Sequence, residues 1–156
     1  MERRAPSSAA TVAVLMRAAI AVGEPRRALR YFDEASHEIR MNSTVLMRAA
    51  DAATSERDLR RLEDVYADLL ANGALSNASR AAFHAHASAQ FEIAGSISGA
   101  LSNAQRAYDI GKDPSALERV YQLAAKAGLR QVALHAALSL CHVLYRGATY
   151  CRLSER

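Results

Sequence analysis

Apolar residues recur along this chain at helical spacing, and no stretch alternates as a strand would. Between Ala9 and Val22 only Thr11 and Arg17 are polar. After Gly23 the apolar positions Ala28, Phe32 and Ala35 fall three and four residues apart, which places them on one face of a helix. Carried along the chain, such periodicity predicts eight helices over roughly 10–22, 25–39, 44–54, 56–71, 78–93, 97–110, 114–127 and 130–146. Start signals agree with these spans. Pro25 stands at a first helical turn, where its missing N–H leaves nothing unpaired. Ser55 and Asp58 can cap the fourth helix, and Asp113 followed by Pro114 and Ser115 opens the seventh. Breaks fall at Arg40-Met41-Asn42-Ser43, from Ala71-Asn72-Gly73 through Ser79, and at Gly111-Lys112-Asp113.

The pattern repeats. Five, nine and twelve residues after Gly23 come Ala28, Phe32 and Ala35; the same offsets from Gly95 give Ala100, Ala104 and Ala107, and from Gly128 they give Ala133, Ala137 and Leu140. In one more unit Arg57 takes the place of the turn glycine, with Leu62, Tyr66 and Leu69 at the matching offsets. The units begin near residues 9, 43, 81 and 114, so they are spaced by 34, 38 and 33 residues. Periods of this length mark stacked helix-turn-helix units, none of which can bury its apolar face alone. The expectation is a single all-α domain over 9–146, with repeats of about 9–42, 43–77, 81–113 and 114–146, a flexible segment at 1–8 and a tail at 147–156.

These offsets resemble the second-helix pattern of the tetratricopeptide and pentatricopeptide repeat superfamily, over about residues 9–146. Gly73, four residues past Leu69, and Pro114 beside the end of its unit are similar to pentatricopeptide repeats. Ala50 and Ser88, small where a first helix approaches its neighbour, are similar to tetratricopeptide repeats. The resemblance implies a right-handed α-α superhelix, a solenoid of about four hairpins, whose role is to bind protein or RNA.

Composition narrows the class. The 156 residues are 51% hydrophobic and 23% charged, a globular balance, with aromatics at only 6% and no tryptophan, so the core must be close-packed alanine and leucine. Net charge is +4, and Lys112 and Lys126 are the only lysines among 20 basic residues. Arginine suits phosphate and carboxylate partners. Arg17 interrupts the longest apolar run, which argues against a membrane span of about 18 residues and for a soluble chain. Cys141 and Cys151 lack metal-ligand spacing and suggest neither a zinc site nor a disulfide framework, so a reducing compartment is expected, cytoplasmic or an organelle matrix. The start "MERRAPSSAATVAVLMRAA" is similar in composition to an organelle transit segment, with mitochondria one destination.

In pentatricopeptide proteins a repeat reads one base with two or three side chains. The corresponding first-helix positions here are Ala13, Met47, Ala85 and Glu118, and none offers the small polar group such reading uses. Ser43, Asn77 and Ser115, at the unit ends, are equally ordinary capping residues. Arginines gather instead on the second helices and their turns, as Arg26, Arg27 and Arg30, then Arg57, Arg60 and Arg61, where they could contact an RNA backbone. The first-helix face is neutral to acidic and carries Arg17, Met47, Asp51, Glu92, Glu118 and Gln122, a docking groove suited to a basic protein segment.

The ends add a second surface. The first helix is apolar nearly all round, and the last confines its polar groups to one stripe of Gln131, His135, Ser139, His142 and Arg146. Leu134, Leu138, Val143 and Leu144 then form an apolar end surface that needs a cover, either the tail through Tyr150 and Leu153 or another protein. His84 and His86, two apart, point to different faces of a helix, so no metal site is expected, and no cofactor motif or nucleophile turn occurs. Glu92 and Glu118 have no partner at an acid–base separation, so the chain is expected not to be an enzyme. The expected function is a non-catalytic scaffold for protein–protein interaction, self-associating or within a larger assembly. The alternative is an RNA-associated protein of an organellar ribonucleoprotein.

Overall fold

The computed structural model describes residues 8–71 and 73–144, and every regular element among them is an α-helix. In chain order these are α1 (Ala9–Ala21), α2 (Pro25–Glu34), α3 (His37–Arg40), α4 (Ser43–Glu56), α5 (Leu59–Ala71), α6 (Asn77–Ile93), α7 (Ile97–Gly111), α8 (Pro114–Lys126) and α9 (Arg130–Leu144). The predicted eight become nine because the helix expected over 25–39 divides. Ala35 turns to an extended conformation, and the Ser36 hydroxyl accepts the N–H of Ile39 to open the one-turn α3. A serine that captures a nearby backbone N–H competes with the helical ladder, and here it wins. A second shift lies between α4 and α5. Ser55 stays inside α4, its hydroxyl donating to the Asp51 carbonyl at 3.0 Å, and Asp58 alone caps α5 by accepting the Arg61 N–H at 3.0 Å.

The four turns singled out in the sequence share one geometry. Gly23, Gly95 and Gly128 have positive φ, and Arg57 takes the same left-handed conformation at φ 56°. At each turn the following N–H reaches back five residues: Glu24 to Ala19, Asp58 to Ala53, Ser96 to Phe91 and Leu129 to Ala124, at 2.8 to 2.9 Å. This is the Schellman closure, which satisfies carbonyls that a helix end leaves unpaired. Downstream of the turns the expected apolar positions are buried in α2, α5 and α7. In α9 Ala133 is buried, while Ala137 and Leu140 are half-buried.

The chain divides into two compact units, Met1–Ala74 with Ile93–Gly95 and Leu75–Glu92 with Ser96–Arg156. From the sequence one domain of four repeats is expected; the first unit takes most of the first two expected repeats and residues 93–95 of the third, and the second unit takes the rest. In the first unit α1 packs on α2 and α4, α2 on α4, and α4 on α5. Met16, Val12, Val45, Leu46, Leu62 and Val65 are its fully buried centre. In the second, α8 packs on both α7 and α9 through Leu117, Val120, Leu123 and Ala124. There α6 meets α7 closely: a Cβ on Gly99 would come within 2.7 Å of the Phe91 ring, and one on Gly111 within 3.0 Å of Ala81.

Ser8, placed by the sequence reading in the leading flexible segment, caps α1 by accepting the Thr11 N–H. The rest of the transit-like start lies outside the described residues, as do Arg146, Tyr150, Leu153 and Cys151. Cys141 is disulfide-bonded, which corrects the expectation of reduced thiols and removes the basis for inferring a reducing compartment. Bridging depends on two Cα atoms approaching within about 4.4–6.8 Å, and spacing along the chain does not reveal that. No helix among the described residues is long and apolar enough to cross a membrane.

Candidate functional site

The six arginines proposed from sequence for RNA contact all belong to the first unit, and acidic neighbours engage half of them. Arg26 donates to Glu56 at 2.6 Å, and Arg27 to Glu24 at 2.9 Å while also donating to the Tyr31 hydroxyl. Arg61 reaches Asp33 with two nitrogens, at 2.5 and 3.0 Å, in the two-pronged geometry that suits guanidinium and carboxylate. Hydrogen bonds to these acids raise the pKa of all three arginines. Arg30, Arg57 and Arg60 are exposed. A polar depression of about 630 Å³ borders Arg26, Arg27, Arg30 and Glu56, so its basic charge is partly neutralised in place.

The residues expected along a docking groove fall three in each unit. Arg17 is exposed on α1, and Met47 and Asp51 are half-buried on α4, where Asp51 accepts from Arg48 at 2.9 Å. In the second unit Glu118 and Gln122 are exposed and bond each other at 3.4 Å. Glu92 is not available to a basic ligand, because Lys126 donates to it at 2.8 Å and Arg119 binds its other oxygen. Hydrogen bonds from Lys126 and Arg119 hold its carboxyl below the ordinary value.

On α9 only Ala133 and Ala136 are buried; Leu134, Val143 and Leu144 are 54%, 43% and 57% exposed, Leu129 and Val132 are exposed beside them, and Leu138 is half-buried. Val14 and Val22 are exposed at α1. His84 is buried and shares a 2.9 Å hydrogen bond through Nδ1 with Asn103 Oδ1, which ties α6 to α7. No group of three or more His, Cys, Asp or Glu among the described residues could hold a metal.

No family model and no curated protein matches this chain. One feature of the second unit escapes the periodicity altogether: a cavity of about 480 Å³ bounded by α6, α7 and α8. Its walls include Ala81, Ala85 and Ser88 of α6, Ala104 and Ala107 of α7, and Arg119 of α8. In a sequence those alanines signal helix propensity and close packing, and the hollow between them has no signature.

Proposed function

We propose that this protein is a non-catalytic helical-repeat scaffold, a right-handed α-α superhelix similar to tetratricopeptide and pentatricopeptide arrays, that docks a protein partner through its last helix. The observation that carries this reading is the exposure of Leu134, Val143 and Leu144 on one helix beside exposed Leu129 and Val132. These side chains lie on more than one side of the helix, and covering exposed apolar surface with a complementary apolar face contributes about 25 cal/mol per Å² removed from water. The shared Schellman turns and the recurring buried offsets support the repeat reading. Glu118 and Gln122, exposed on α8, the helix packed against α9, offer polar contacts to such a partner.

The organellar RNA reading has less behind it. Backbone tracking needs cations free to displace counterions, and Arg26, Arg27 and Arg61 are committed to Glu56, Glu24 and Asp33. Site-specific photo-crosslinking in cells separates the two. A photoreactive residue at Leu134 or Leu144 is expected to give a discrete protein adduct, while one at Arg60 gives none. Absence of a protein adduct at both leucines, or an RNA adduct at Arg60, would overturn the scaffold reading.

A further inference from the structure

The cavity of the second unit has a polar end and an apolar length. Ser88, 1% exposed, lines it, and its hydroxyl has no hydrogen-bond partner. A buried hydroxyl without a partner is a standing penalty that a ligand atom can relieve. Ser88 lies one helical turn from Glu92 on the same face of α6, and Glu92 is the residue that Arg119 grips. Hydroxyl and guanidinium therefore belong to the same end of the hollow. Two cations, Arg119 and Lys126, surround the one carboxylate of Glu92, which leaves a positive surplus there. Only one guanidinium nitrogen of Arg119 is engaged by Glu92, and the group has donors to spare. Away from this end α6 contributes Ala85, Ala82, Ala81 and Ala78 over about 10 Å of helix, faced by Ala104 and Ala107 of α7. The far end carries Asp113, which repels an anion and so gives the hollow a direction.

We infer that this cavity binds a small unbranched monocarboxylate, its headgroup accepting hydrogen bonds from the Ser88 hydroxyl and the Arg119 guanidinium and its aliphatic chain lying along the alanine walls. The site is independent of the α9 docking surface. Ligand pockets of this kind are mostly apolar, with a few convergent polar groups that fix orientation.

The test is amide-resolved NMR titration of the full chain with straight-chain carboxylates from butanoate to decanoate and with the matching alcohols. Saturable shifts are expected at Ala81, Ala85, Ser88 and Ala104, with each acid binding more tightly than its alcohol. Ser88→Ala should weaken the best acid by roughly three- to tenfold while raising the melting temperature of the free protein, since it removes the unpaired hydroxyl. Arg119→Ala should weaken it about tenfold or more and abolish the preference for acid over alcohol. Ala85 is exposed, so Ala85→Phe can fill the mouth without disturbing the core, and it should eliminate binding with helicity unchanged. No saturable shift with any acid, shifts confined to α9, or affinity indifferent to both Ser88→Ala and Ala85→Phe would each overturn the inference.

Discussion

Arg57 is the residue at which sequence pattern and backbone chemistry disagree. It stands where the other three turns have glycine, and it holds φ 56°, a conformation that costs a residue with a Cβ roughly 1 kcal/mol. The pattern of apolar offsets nevertheless located the turn correctly, because Leu62, Tyr66 and Leu69 report the register of α5 whatever occupies the turn itself. Replacing Arg57 with glycine should stabilise the protein by roughly 0.5–1 kcal/mol, read as a raised denaturant midpoint at unchanged slope. Arg57→Ala, which keeps the strain, should give no such gain. Lys112 is in a related position after α7, at φ 53°.

At the scale of helices, the long apolar periods were legible and the short-range contests were not. The ends of α1, α6, α7 and α8 follow from caps and glycines visible in the sequence, such as Asp113 accepting the Ser115 N–H before Pro114 begins its helix. The break at Ala35 hinges on one serine hydroxyl competing with a ladder of backbone bonds, a balance of a few tenths of a kcal/mol that periodicity does not weigh. Contacts between helices were hidden for a different reason. Arg61 with Asp33 and Lys126 with Glu92 join residues 28 and 34 apart, so no local spacing announces them. The α6–α7 junction offers a direct measurement. Alanine at Gly99 gains helix propensity of about 1 kcal/mol but drives a Cβ against the buried Phe91 ring and the Ser96 hydroxyl that caps α7. Overpacking of a core contact costs about 1–3 kcal/mol, so the clash outweighs the propensity, and Gly99→Ala should lower the melting temperature by about 3 °C.

For the molecule as a whole, apolar exposure can be argued from helix pattern, whereas the freedom of a charge depends on neighbours distant in sequence. Leu134 and Leu144 stood out because a helix whose polar groups keep to one narrow stripe turns apolar side chains to several sides, a matter of geometry alone. The arginine clusters looked like one basic stripe in the sequence, yet Glu24, Asp33 and Glu56 take up half of it. In the second unit α8 packs on its chain neighbours α7 and α9, and in the first α1 pairs with α2 and α4 with α5, alongside contacts of α4 with α1 and α2. That arrangement has a kinetic meaning. Partners separated by one tight turn close small loops, so little chain entropy is spent before packing begins, and topologies dominated by such local pairings cross the folding barrier within microseconds to milliseconds. Stopped-flow far-ultraviolet circular dichroism should accordingly find most helical signal regained within the first few milliseconds of refolding. A main phase lasting seconds would mean that distant segments must meet first, and the hairpins would then be a product of folding instead of its starting points.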